Sequence, residues 1–205
     1  MNRITLILMA SLMASGLNYA QANNGNPSAE KHETAIFAGG CFWCVESDFD
    51  KVPGVVRTVS GYSNGHKKNP SYRQVSAGGT GHAEVVQIVY DANRVSYKQL
   101  LDVFWRSIDP TVEDRQFCDR GDQYRSGIFY LNDRQRQLAV ESKTALEKSK
   151  PFKADIVTEI NQAGTFYPAE EYHQDYYKKN PLRYKYYRFS CGRDKRIAEL
   201  WGKKQ

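Results

Sequence analysis

The stretch Ala38-Gly39-Gly40-Cys41-Phe42-Trp43-Cys44-Val45-Glu46 constrains the fold more than any other part of the chain. It follows the apolar run Ala35-Ile36-Phe37 and leads into a helix-like pattern that ends near Val52-Pro53-Gly54. Any fold must therefore bring the end of a strand and the start of a helix together at Cys41. Free backbone N–H groups and the positive end of the helix dipole favour an anion there, which is the setting of a reactive thiolate. Phe42 and Trp43 beside the sulfur offer a polarizable surface for a small apolar group. Cys41 is the candidate nucleophile.

The remaining pattern mixes strands and helices. Strands are expected over residues 34–38, 55–62, 82–90, 124–131 and 155–160, with helices over 42–51, 132–150, 166–180 and 192–201. Another helix is marked by the capping box of Ser96 and Gln99 and by Leu101, Phe104, Trp105 and Ile108 at i, i+3, i+4, i+7, with Asp109-Pro110 as its stop. Alternation over 82–90 sends Glu84, Val86, Ile88 and Tyr90 to one face and Val85, Gln87 and Val89 to the other. Asn132 caps the 132–150 helix, and Pro181 reads as the stop of the 166–180 helix. Residues 63–80, with Tyr72, and 111–123, with Cys118, Asp119 and Gly121, read as long loops. The expected class is α+β, a two-layer sandwich of helices packed on a mixed sheet.

Residues 1–22 read as a secretory signal peptide, with Arg3 before an apolar run and Ala20-Gln21-Ala22 as the cleavage pattern. The run is too short for a comfortable membrane span, and no later one is long enough. Residues 23–33 form a polar lead, and 34–205 a single catalytic domain. The expected product is exported, periplasmic or secreted, and monomeric. Formal charge is +6, and +5 once Arg3 leaves with the leader. In an exported chain this basicity reads as a soluble surface, with no nucleic-acid partner.

Four cysteines, Cys41, Cys44, Cys118 and Cys191, stand in that chain. Export permits a disulfide framework, but the irregular spacing and the size of the domain favour redox work. Cys118 and Cys191 lack the second C-x-x-C of a zinc site, so neither metal nor cofactor is expected. Glu170 and His173 at i, i+3 read as a solvated helix face rather than a metal pair. Glu84 is either an outward carboxylate or a buried one, and burial is costly unless the group is paired or protonated. Tyr72 and Tyr124 at loop–strand junctions can turn their hydroxyls into a cleft, and Asp119 is either a turn residue or part of the same site.

These residues carry a resemblance. The chain resembles the class A peptide methionine sulfoxide reductases over nearly all of the sequence after the leader. The resemblance lies in Gly40-Cys41-Phe42-Trp43-Cys44-Val45-Glu46, Gly61-Tyr62-Ser63-Asn64-Gly65, Asn69-Pro70-Ser71-Tyr72 and Gly79-Thr80-Gly81-His82-Ala83-Glu84-Val85-Val86. It continues in Asp119-Arg120-Gly121-Asp122-Gln123-Tyr124-Arg125-Ser126 and from Phe166-Tyr167-Pro168 to Tyr176.

The resemblance implies a ferredoxin-like core and reduction of methionine S-sulfoxide, free or in oxidised proteins. Cys41 is implied as the attacking thiolate, Phe42 and Trp43 as the pocket for the S-methyl group, and Glu84 as the acid on the sulfoxide oxygen. Tyr72 and Tyr124 are implied as hydroxyls bonded to that oxygen, with Asp119 organising the site through water. Independently, a sulfoxide oxygen is a poor leaving group until protonated, which a buried neutral carboxyl can achieve. The resulting sulfenic acid needs a resolving thiol: Cys191, in the loop-like Phe189-Ser190-Cys191-Gly192, with Cys44 as the alternative. A thioredoxin-like partner is implied for recycling, in the repair of oxidised exported proteins. Two other readings compete. A thioredoxin-like exchanger using Cys41 and Cys44 requires a parallel βαβ start, and a non-catalytic module requires all four cysteines paired.

Overall fold

The computed structural model describes residues 31–202, so the expected leader and most of the polar lead lie outside the described residues. The first strand, β1 (His32–Gly39), alternates its side chains across the sheet: Ala35 and Phe37 enter the larger core, Ile36 and Ala38 the smaller. It lies between β3 (Ala83–Asp91) and β6 (Ser126–Tyr130), antiparallel to both, and β2 (Val55–Ser63) pairs antiparallel with the far edge of β3. Helix α1 (Phe42–Phe49) links β1 to β2, and α3 (Tyr97–Arg106) follows β3. The strand order β6-β1-β3-β2 with these two crossovers is the split β-α-β, ferredoxin-like arrangement. Two strands extend it: β7 (Glu159–Gln162), parallel to β6, and β8 (Tyr167–Pro168), antiparallel to β2. One parallel pair among antiparallel ones makes the sheet mixed, as expected.

The helices cover one face. Phe42, Val45 and Phe49 of α1 and Leu100, Leu101 and Phe104 of α3 meet Phe37, Val86 and Ile88 from the sheet. At the centre, Phe37 stacks on Phe49, Tyr97 and Phe104 with centroids 4.9–6.0 Å apart. The capping box at α3 is present, with Gln99 accepting the Ser96 N–H at 2.9 Å. Asn132 likewise caps α4 (Asp133–Ser149) by accepting the Gln135 N–H.

Several local expectations change. The 63–80 loop contains a helical turn, α2 (Tyr72–Ser76), started by Gln74 reaching back to the Ser71 N–H. The 111–123 loop holds a minimal hairpin, β4 (Arg115–Gln116) and β5 (Asp119–Arg120), turned by Phe117 at φ 56°. Tyr124 ends a 3-10 turn instead of starting a strand, and the strand expected at 155 begins at 159. Over 166–180 the expected helix gives way to β8, a 3-10 turn (Glu171–His173) and a short α5 (Tyr176–Lys179). Pro168 cannot continue a helix ladder, and Asp175 at φ 52° breaks helical backbone geometry.

Pro181 does not stop a helix. It occupies the first turn of α6 (Pro181–Ser190), where its missing N–H costs nothing. This helix escapes a sequence reading because its aromatics point both ways: Tyr184 is buried, whereas Leu182, Tyr186 and Phe189 are exposed. The last helix, α7 (Arg193–Trp201), is anchored by the buried Arg193, which donates to the Ser107 carbonyl at 2.8 Å and to that of Gly39 at 3.3 Å. The C-terminal region is thus tied beneath the strand end that presents Cys41. No helix among the described residues is long and apolar enough to cross a membrane.

Candidate active site

Cys41 is the N-cap of α1 and only 6% exposed. The turn that delivers it depends on Gly40, whose φ is +80° and where an added Cβ meets the Gln116 Cβ at 2.4 Å. Gln116 cannot give way easily, because its amide bonds both the N–H and the carbonyl of Asp109, at 2.9 and 2.7 Å. The strand–glycine–cysteine–helix expectation is therefore realised. The helix-start N–H is not free, however: Phe42 donates it to Glu84 Oε2 at 3.0 Å.

Glu84 lies on β3 with Val86, Ile88 and Tyr90, facing the helices and 2% exposed. Its inward reading holds. Burial pushes its carboxyl up to about 8, against the pull of the Phe42 N–H and with further pressure from Asp119 and Cys44. At neutral pH it is mostly protonated, next to Cys41.

The thiol pair departs from the expected thiolate at Cys41. Burial, then the adjacent Cys44 sulfur, Glu84 and Asp119, push the Cys41 thiol well above its ordinary range. The Cys44 thiol falls to about 7, chiefly because Cys41 hydrogen-bonds to it, with Arg193 and Arg188 assisting. In the resting site the proton belongs on Cys41 and any thiolate on Cys44. Both cysteines are free and buried.

Tyr72 and Tyr124 are drawn to the same place, each held protonated by burial and then by Glu84; Tyr72 reaches about 12. Both remain donors at any physiological pH. Tyr72 is fixed by Glu170, which accepts the Tyr72 N–H at 2.8 Å and the Tyr62 hydroxyl at 2.9 Å. Phe42 and Trp43 form an aromatic wall with residues that sequence reasoning missed. Trp43 stacks on Tyr176 with centroids 3.7 Å apart and donates Nε1–H to His173 Nδ1 at 3.0 Å. Burial keeps His173 neutral, so its proton sits on Nε2, a buried donor with no partner among the described residues. Glu170 and His173 are thus not a solvated helix face: Glu170 is bonded to Tyr62 and Tyr72, and His173 packs among the aromatics.

Glu46 was also missed. It is buried on α1, raised to about 7 by burial, and accepts the Asp175 N–H at 3.0 Å. That bond supports the left-handed Asp175 immediately before Tyr176. The available signal was a carboxylate between Val45 and Phe49 on a helix with an apolar face.

Asp119 sits on β5, and its Oδ2 accepts the Tyr187 hydroxyl at 2.5 Å; Tyr187 also meets Trp43 edge-on and lies within hydrogen-bonding reach of Cys41. Cys191 is not a free thiol on a loop. It is the C-cap of α6, bonded to Cys118 in a disulfide that spans 73 residues. The ligand-type atoms of Cys118, Asp119 and Cys191 lie within 4.8 Å of one another, but two of the three are disulfide sulfurs, which are not the thiolates a metal takes.

Two free cysteines contradict the fully paired non-catalytic module. The dithiol exchanger also fits poorly, because β1 and β2 flank β3 and are antiparallel to it rather than adjacent and parallel.

The chain matches known proteins. A family profile described as peptide methionine sulfoxide reductase matches residues 33–205. A peptide methionine sulfoxide reductase from Bacillus licheniformis is 53% identical over 176 residues, 86% of this chain and 97% of the relative. Mxr1 from Saccharomyces cerevisiae, solved in reduced form, superposes with TM-score 0.70 at 35% identity, over 76% of this chain and 88% of that one. Methionine sulfoxide reductase A of Corynebacterium diphtheriae gives 0.66 at 36%, over 77% and 78%.

Proposed function

The chain belongs to the peptide methionine sulfoxide reductase family, and on that premise we propose how its own residues carry out thiol-dependent reduction of methionine S-sulfoxide. The observation that carries the reading is a neutral, buried Glu84 beside Cys41 beneath an aromatic wall. Cys44 takes the Cys41 thiol proton, and the Cys41 sulfur attacks the sulfoxide sulfur. Glu84 protonates the sulfoxide oxygen, held by the Tyr72 and Tyr124 hydroxyls, while Phe42 and Trp43 enclose the S-methyl group. Transfer of the oxygen to Cys41 releases methionine and leaves a sulfenic acid. Cys44 then attacks that sulfur, forming the Cys41–Cys44 disulfide and expelling water.

The Cys41–Cys44 contact favours Cys44 as resolver over Cys191, whose sulfur is already bonded to Cys118. A thioredoxin-like dithiol returns the pair to thiols, two hydrogens passing from it to the disulfide. Residues 1–22 direct export and are removed, and residues 34–205 act as a single monomeric domain on oxidised exported proteins. The Cys118–Cys191 disulfide suits that oxidising compartment.

Reduction of free and peptide-bound methionine S-sulfoxide with dithiothreitol tests the nucleophile: Cys41→Ser should be inactive, and a normal rate overturns the mechanism. Cys44→Ser, lacking the base as well as the resolver, should complete one slowed turnover and then stall with thioredoxin, whereas Cys191→Ser should keep cycling. The reverse pattern assigns resolution to Cys191. Amino-terminal sequencing of the secreted protein should begin at residue 23, and light scattering should give one chain's mass.

A further inference from the structure

We propose that the Cys118–Cys191 disulfide and Tyr187 form a positioning brace for the reaction centre, a role that rests on the function proposed above. The disulfide grips both ends of one hydrogen bond. Cys118 is peptide-bonded to Asp119, which accepts the Tyr187 hydroxyl at 2.5 Å. Cys191 lies one helical turn beyond Tyr187, and its N–H bonds the Tyr187 carbonyl at 2.9 Å. The cross-link therefore fixes the distance between the loop that carries the acceptor and the helix that carries the donor. Tyr187 in turn touches the chemistry, standing edge-on to Trp43 at 5.7 Å with its hydroxyl beside Cys41.

The hairpin's other anchors, Gln116 on Asp109 and Phe117 beneath the Arg193 guanidinium at 4.5 Å, do not lead to α6. The Asp119 segment is a hairpin of two residue pairs turned through the left-handed Phe117. Helix α6 leaves Leu182, Tyr186 and Phe189 in solvent, so only its Tyr184, Tyr187 and Arg188 side is gripped. A hydrogen bond weakens steeply as its geometry opens, so a small drift of either element releases Asp119 and uncovers Cys41.

The test is single-turnover kinetics: pre-reduced Cys41 and Cys44, no added reductant, stoichiometric methionine sulfoxide, and methionine quantified by rapid quench. Wild type is used with its outer disulfide intact, verified by alkylation of two thiols only. Tyr187→Phe keeps the ring against Trp43 and removes the hydroxyl; it should slow turnover roughly 10-fold with half-saturation changed less than about twofold. Cys118→Ser/Cys191→Ser should slow it in the same direction, by a smaller factor. The triple variant should be no slower than Tyr187→Phe, because the brace acts only through that hydroxyl.

Losses that multiply in the triple variant overturn the proposal, since a general structural role adds independently. An unchanged rate in Tyr187→Phe overturns it as well. A serine pair that turns over once at the wild-type rate but stalls with thioredoxin assigns the outer disulfide to electron transfer instead. The proposed function is judged separately by Cys41→Ser, so the two can fail independently.

Discussion

Glu84→Gln should trade activity for stability. Its carboxyl stands at about 8 against an ordinary 4.5. At pH 7 a carboxyl at 8 is roughly 90% protonated, whereas one at 4.5 is about 0.3% protonated, so burial raises the supply of acid about 300-fold. Glutamine accepts the Phe42 N–H but cannot protonate an oxygen, so the single-turnover rate should fall by roughly 10²–10⁴-fold. The wild-type rate should peak between about pH 7 and 8, falling on the acid side as the Cys44 base is protonated and about tenfold per unit above 8 as Glu84 ionises, and the variant should lack only the alkaline limb.

The stability sign follows from the same shift. A group whose folded pKa is raised keeps its proton in the folded state where the unfolded chain releases it. The folded state therefore bears no penalty below about pH 4.5 and loses stability as pH rises towards 8. Full ionisation costs roughly 5 kcal/mol from a 3.5-unit shift, the difference between 8 and 4.5. Less the burial cost of the unpaired amide, Glu84→Gln should be about 2–4 kcal/mol more stable than wild type at pH 9, with a smaller or reversed difference at pH 5. Urea unfolding at pH 5, 7 and 9 measures this. An unchanged single-turnover rate, or a stability difference independent of pH, refutes the assignment of Glu84 as a buried neutral acid.

Two further substitutions probe the frame. Gly40→Ala places a methyl group 2.4 Å from the Gln116 Cβ at a positive φ; it should destabilise by about 2 kcal/mol or more by denaturant unfolding and displace Cys41, lowering turnover even where the protein is fully folded. Trp43→Phe loses the His173 hydrogen bond and part of the Tyr176 stack; it should raise the half-saturating sulfoxide concentration roughly 3–30-fold in steady-state assays, a larger effect than on the single-turnover rate at saturation.

Much of the β-α-β core was legible in the sequence's local pattern, because hydrophobic period and capping residues act over a few positions. β1, β3, α3 and α4 followed in turn from the apolar run at 35–37, the alternation over 82–90, the Ser96–Gln99 box and the Asn132 cap. The sequence also marked Cys41, Glu84, Tyr72, Tyr124 and Asp119, and the structure brings their side chains together, Cys41 from the N-cap of α1 and the others from β3, α2, the 3-10 turn and β5. What it could not decide lies where distant segments meet. His173 and Tyr176 read as helix-face residues until the 166–180 segment breaks at Asp175 and lays them against Trp43. Cys191 read as a mobile thiol because nothing local reveals that a helix starting at Pro181 carries it to Cys118, 73 residues away. The proton's place in the thiol pair was equally hidden. Spacing puts Cys41 at a helix start, but burial beside Glu84 and Asp119 raises its thiol, while Arg193 and Arg188, from the far end of the chain, help to lower that of Cys44. Those energies depend on which charges lie within a few ångströms and how much water is excluded, and only tertiary packing sets either.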